Sequence, residues 1–296
     1  MELRVLRYFV EAARAGNISR AAAALHVSQP AMSKQLRALE DELGQKLFKR
    51  TNYNILLTAE GMLFRQRAED ILAMVRQTKN EFETMGGDVS GDVYIGGAES
   101  EGFCCVARAM KMVREAHPKI RFHIYSGNRE DLDYRLEKGL LDFVLTLQEA
   151  DAEQFDALPL PVTDEWGVIM RKDAPLAKQE QVHAADLAGL PLILSREAMR
   201  EEYPAWFGEM FSHLRPAVTF NLVYNAAVMA REGLGYLLSI GGLVDVGADS
   251  ELCFRPLAPR MASPLCFVWR KHRPFSPAAE LLLEEMRRRY GAEKGE

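Results

Sequence analysis

Four consecutive alanines stand at positions 21–24, inside the stretch SRAAAALHVSQPAMSKQLRALEDELG that spans residues 19–44. No other stretch constrains the fold as tightly. Alanine has the highest helix propensity and almost no bulk, so a helix built on it can lie close against its neighbours. His26 and Val27 then form a short turn. Ser28 can accept backbone N–H bonds at the start of the next helix. Pro30 falls in the first turn, where its missing N–H costs nothing. The pattern predicts a helix over residues 28–43, stopped by Gly44. Upstream, Leu3, Leu6, Phe9, Val10 and Ala13 predict the apolar face of a first helix, ended by Gly16 and Asn17. Ser19 is the expected cap of the second helix, which should run to Leu25. The outcome is three short helices, the second and third joined by a tight turn.

Two short strands should follow, at residues 46–48 and 55–57, joined by the polar tip KRTNYN at 49–54. Thr58 can cap a long helix, expected to stop at Gly86 and Gly87. Phe64, Ala68, Ile71, Leu72, Val75 and Phe82 recur at helical spacing along it. A helix of roughly 28 residues is about 40 Å long. Three short helices cannot cover such a stripe, so a second copy of the chain is the expected partner.

Beyond Gly91 the pattern changes to alternating strands and helices. Strands are predicted at 93–97, 120–125, 142–147, 166–170, 191–194, 218–223, 236–239 and 265–269, and helices at 103–115, 131–136, 226–232 and 277–290. Such alternation indicates an α/β fold. The chain should form a first lobe from 89–161 with 268–296, and a second from 162–267. It carries a net charge of −5, but unevenly: residues 1–58 hold +4 and the remainder −9. A basic head on an acidic body suits a polyanionic partner for the head alone.

The exposed start of the third helix is expected to carry Gln29, Pro30, Ser33, Lys34 and Arg37, with Arg20 and Ser28 beside it. These side chains match the edges of a DNA major groove. Gln can bond adenine, Lys or Arg can bond guanine or phosphate, and a proline ring can touch a thymine methyl. Lys49 and Arg50 at the tip would meet a phosphate or the minor groove.

Residues 1–85 closely resemble the N-terminal region of LysR-type transcriptional regulators, through LRYFVEAARAGNISRAAAALHVSQPAMSKQLRALEDELGQKLFKR and LTAEGMLF. The remainder is similar to that family's periplasmic-binding-protein-like effector domain, through GDVYIGGAES, REAHPKIRF, LDFVL and REGLGYLLS. The resemblance implies a winged helix-turn-helix at 1–58, a linker and dimerisation helix at 59–88, and a two-lobed effector domain. It also implies double-stranded DNA and a small-molecule effector as partners, no cofactor, and a homodimer that pairs into a homotetramer.

In α/β folds, ligands sit where strands end and helices begin. Ser100, Asn128, Ser195 and Arg196 follow predicted strands, and Asn225 starts a predicted helix. The resemblance implies that these places line the effector pocket. Glu99 and Glu101 flank Ser100 and disfavour a simple anion there. The six histidines are scattered, and no H-E-x-x-H, G-x-S-x-G or Walker A pattern occurs, so no enzyme constellation is expected. Cys104, Cys105, Cys253 and Cys266 form no C-x-x-C pair, so no metal site is expected and reduced thiols are. A redox switch at Cys104 and Cys105 is the sharper alternative. No apolar run reaches the roughly 18–20 residues of a membrane span. The N-terminus has no cleavage-site pattern, and a cytoplasmic protein is expected. An enzyme or solute-binding protein on the two-lobed fold is the rival reading.

Overall fold

The computed structural model describes residues 1–50, 54–83, 89–147 and 151–291, without the side chains of 50 and 80–83. It divides into two compact units, residues 1–85 and 86–296.

The first unit opens with α1 (Leu3–Ala15), α2 (Ile18–Ala24) and α3 (Gln29–Leu43). Gly16 ends α1 and Gly44 ends α3, with φ of 62° and 64°, the left-handed conformation glycine adopts without steric cost. Asn17, not Ser19, caps α2: its side chain accepts the N–H groups of Ser19 and Arg20. Ser28 caps α3 as expected, accepting from Ala31 N–H at 3.4 Å. The buried face of α1 is Val5, Leu6, Phe9 and Ala12; Leu3 is exposed. Ala21 and Ala22 are buried, while Ala23 and Ala24 face outward. So half of the alanine run makes the close approach, and the rest serves helix propensity.

The hairpin of β1 (Phe48–Arg50) and β2 (Ile55–Leu57) is antiparallel. Residues 51–53 of the expected tip lie outside the described residues. Helix α4 (Ala59–Glu83) starts at the hairpin base. Thr58 Oγ1 accepts from Gly61 N–H and donates to the Lys46 carbonyl, tying helix to hairpin. A Cβ at Gly61 would stand 2.1 Å from the Leu47 carbonyl oxygen, so only glycine fits there.

The stripe on α4 turns out to serve its own head. Ala68 is fully buried, and Phe64, Ile71 and Leu72 pack on the same core as Phe9 and Leu36. Phe64 meets Phe9 edge-on at 4.9 Å. The expectation that three short helices could not cover this stripe fails over its first half, because α1 runs alongside α4. Val75 is half-buried, the Phe82 side chain lies outside the described residues, and so do Gly86 and Gly87. Leu63 and Met74, about three turns apart on α4, are exposed.

In the second unit, β3 (Gly91–Gly97), α5 (Phe103–Ala116), β4 (Ile120–Ser126), α6 (Arg129–Glu137) and β5 (Phe143–Thr146) build the first lobe. The parallel strands β4, β3 and β5 adjoin in that order. Next, β6 (Phe155–Arg171) runs through both lobes. Then β7 (Val182–His183), β8 (Pro191–Ser195), α7 (Glu202–Phe207), β9 (Arg215–Phe220), α8 (Val223–Arg231), β10 (Tyr236–Ile240) and β11 (Leu252–Ala258) form the second lobe. There β8 is parallel to β9 and β10. The chain returns on β12 (Ala262–Arg270), antiparallel to β6, and ends in α9 (Pro277–Tyr290).

Each lobe has its own core. The first buries Val93, Val106, Phe143, Phe267 and Leu282, so α9 completes the lobe that α5 began. The second buries Val168, Leu192, Tyr203 and Leu238. Along β6 the core changes between Leu160 and Trp166, close to the expected boundary at 161. Leu265 and Phe267 already pack in the first lobe, so the returning chain re-enters it before the expected position 268. The sequence reading has no strand over Leu252–Ala258 and misses the first eleven residues of β6. Pro159, Pro161 and the acids of FDALPLPVTDE hide that strand. Cys266 on β12 pairs with Pro159 across a register shift, which accommodates the irregularity.

Candidate functional site

Two surfaces carry polar chemistry, one in each unit. On the head, Ser28, Gln29, Pro30, Lys34 and Arg37 are exposed at the start of α3 and along its first turns. Pro30, Lys34 and Arg37 recur at helical spacing, so they share one face. Ser33 does not belong to that surface: it is 9 % exposed and faces the core with Met32 and Leu36. Arg20 is exposed, and its guanidinium donates to the Ala15 carbonyl at 2.6 Å, which pins the side chain to the end of α1. Lys49 is exposed on β1; the Arg50 side chain lies outside the described residues.

A residue the sequence reading overlooked holds the hairpin to α3. Glu40 is 3 % exposed, and its Oε1 accepts from Leu47 N–H at 2.9 Å and Phe48 N–H at 3.1 Å. In sequence it reads as one acid of the polar run EDE. Only its burial shows that it replaces a missing strand partner for two amides.

In the second unit a cavity of about 90 Å³ opens between the lobes. The ends of β8 and β5 and the starts of α6 and α8 meet around it, as expected of an α/β ligand site. Of the sequence candidates, Ser195 lines it, with its Oγ accepting from Ala198 N–H at 3.4 Å. Asn128 and Arg196 line an adjoining, wider cavity of about 400 Å³. Asn128 is the cap of α6, accepting from Asp131 N–H at 3.1 Å. Ser100 is turned away from both cavities. Its Oγ accepts from Gly102 N–H at 2.9 Å and bonds the buried carboxylate of Asp164. Asn225 is exposed on α8 and lines neither cavity, because the helix begins three residues earlier than expected, at Val223.

Besides Ser195, the charged groups Glu99, Arg129, Glu197 and Glu202 line the cavity, with Trp166 and Leu132 among its apolar walls. The carboxylates link the lobes in a reciprocal way. Glu99, from the first lobe, accepts from Val223 N–H, the first amide of α8 in the second, at 2.7 Å. Glu197, from the second lobe, accepts from Arg129 N–H, the first amide of α6 in the first, at 3.4 Å. At the rim Arg200 pairs with Glu130 at 2.6 Å. Burial pushes the Glu197 carboxyl up from its ordinary value; the Arg129 amide and the Arg129 charge oppose this, and Glu202 and Asp133 add repulsion. Glu99 enters the sequence reading only as a repulsive neighbour of Ser100. Its role as a cap for a distant helix has no local signal.

Comparison with known proteins decides the class. Residues 3–62 match the model of the bacterial regulatory helix-turn-helix proteins of the lysR family, and residues 86–291 match the LysR substrate binding domain. The chain belongs to the LysR family. This LysR-family chain is 29 % identical to the DNA-binding transcriptional dual regulator OxyR of Escherichia coli K12, over 98 % of this chain and 96 % of that protein. It is 30 % identical to the Hca operon transcriptional activator HcaR of the same organism, over 92 % of each. The crystal structure of full-length CbnR complexed with its target DNA shares the fold, with a TM-score of 0.75 at 21 % identity, over 97 % of this chain and 99 % of that one. The LysR-family chain is thus a DNA-binding transcriptional regulator with an effector-binding C-terminal domain, and its relatives are regulators rather than enzymes. Among the described residues, no helix is long and apolar enough to cross a membrane.

Proposed function

We propose that this regulator reads its DNA sites in the cytoplasm with the exposed face of α3, as a homodimer that pairs into a tetramer, and that a small molecule in the inter-lobe cavity shifts its DNA-bound arrangement. The observation that carries the DNA half is the capped start of α3, where Gln29, Pro30, Lys34 and Arg37 stand exposed beside a helix N-terminus. Base-edge donors and phosphate-binding cations there fit a major groove. Support for the dimer comes from Leu63 and Met74, apolar and exposed on α4 away from the stripe that the head covers. A ligand shifts such an equilibrium only by its differential affinity for the two arrangements, and a cavity walled by both lobes supplies that difference.

Several relatives are named hydrogen peroxide-inducible genes activators. That chemistry is not carried over. A reactive thiol needs thiolate character and access. Cys105 and Cys253 are buried, and burial raises both thiols; Cys104 and Cys266 are half-buried and pack against core residues of the first lobe. The cavity lining contains no cysteine among the described residues. The test is footprinting of the protein on the DNA upstream of its own coding region, with and without a metabolite library. A protected site whose extent changes with one compound supports the reading; no protected site in any condition contradicts it.

A further inference from the structure

Helix N-termini at a cleft are the usual seats for anionic ligands, because their amide N–H groups are unpaired and the helix dipole is positive there. In this protein the starts of α6 and α8, which flank the inter-lobe cavity, are both taken by its own carboxylates, Glu99 on α8 and Glu197 on α6. A third carboxylate, Glu202, lines the same cavity. Among the described residues the lining holds one cation, Arg129; its guanidinium lies 3.3 Å from Asp133 and 3.9 Å from Glu201, and its charge acts on Glu197 as well, so it is shared among three carboxylates. An incoming anion would have to displace a carboxylate and would still face the remaining ones.

We infer that the inter-lobe cavity takes a small organic cation, an amine or guanidine compound, held between Glu99 and Glu197. The inference rests on the reading of this cavity as the effector site and names the charge class of the effector. A carboxylate offers about four acceptor positions, so Glu99 and Glu197 can each bond an amide and a ligand N–H together. At Glu197 the repulsion from Glu202 and Asp133 outweighs the attraction of the Arg129 charge, so added positive charge is favourable at this spot. Trp166, Leu132 and Ile240 would enclose the hydrocarbon part of the ligand. A metal ion is a poorer fit, since no three acidic, histidine or cysteine groups among the described residues converge to hold one.

The test is calorimetry on the full chain with butylamine, 1,4-diaminobutane and agmatine, against succinate and 1,4-butanediol as anionic and neutral compounds of similar length. At least one amine should bind, and the anion and the diol should not. Glu99→Gln and Glu197→Gln keep a carbonyl for the helix amide, so both should fold. Each should weaken amine binding by about tenfold or more, the loss of one charge-assisted bond. Glu280→Gln, at an exposed position of α9, should change nothing. Amine binding unaffected by both cavity variants overturns the inference, as does no amine binding up to about 10 mM, or succinate bound more tightly than the amines. These failures differ from failure of the effector reading. Succinate or butanediol bound in the cavity, with a change in Trp166 fluorescence, keeps the effector site and removes only the cation. No response of fluorescence or DNA binding to these compounds or to a wider metabolite set removes both.

Discussion

Two buried carboxylates, Asp164 and Glu40, differ in what surrounds them, and the difference decides what each does for stability. Asp164 is 7 % exposed on β6, and its Oδ2 is buried with no hydrogen-bond partner. Burial raises its carboxyl; the Ser100 hydroxyl opposes the shift and the Glu101 charge adds to it. A carboxyl raised in the folded state binds its proton more tightly there than in the unfolded chain. The contribution of Asp164 to stability is therefore fully present below the ordinary aspartate range and is lost as pH rises through the raised value. Asp164→Asn removes that dependence. It should raise the melting temperature at pH 7, with the gain vanishing at acid pH. An equal gain at all pH values would show that the charge is not the cause. Glu40 has the opposite setting, because two amide N–H groups satisfy its Oε1. Glu40→Ala leaves both amides without that acceptor, at a cost of about 2–4 kcal/mol. Hydrogen exchange at Leu47 and Phe48 should speed up accordingly, and less so in Glu40→Gln.

Elements were legible in the sequence wherever their determinants are local. Helix α3 is the clearest: Ser28, Pro30 and Gly44 mark it, and the structure starts and ends it there. Helix α8 shows the limit. Its N-cap Leu222 provides no side-chain bond, and the first amide is satisfied by Glu99 from the other lobe. No local pattern could place that start, and the error in Asn225 follows from it. Only the last third of strand β6 is legible, because prolines and acids break its alternation before that, although β12 and β11 pair along it. Within α3, position matters more than residue type. Ser33 faces the core, so Ser33→Ala is expected to shift head stability and leave the salt dependence of DNA binding as it was. Lys34→Ala, on the exposed face, should weaken binding to all sequences alike and flatten the salt slope by about one unit. Binding isotherms at several salt concentrations separate the two. The same slope for Lys34→Ala and the unaltered protein would remove Lys34 from the interface.

At the scale of the whole molecule, oligomerisation rests on what α4 leaves uncovered after it has packed on its own head. Ile71 belongs to the head core, so Ile71→Glu would destabilise the fold of one chain and says little about association. Leu63 is exposed within one chain. A charge there meets water in the monomer and a low-dielectric seam in the dimer, where an unpaired charge costs several kcal/mol. Leu63→Glu should leave the head folded and lower the sedimentation coefficient; an unchanged coefficient would place the seam elsewhere. The central claim is that the exposed face of α3 reads DNA sequence. The most direct measurement is the affinity of Arg37→Ala and Gln29→Ala proteins for the footprinted site, against the same site with single base pairs exchanged. The account predicts a loss of about 1–3 kcal/mol on the natural site for a side chain that reads a base, with discrimination lost at one base pair only. Full affinity and unchanged discrimination in both variants, with the fold intact, would contradict it.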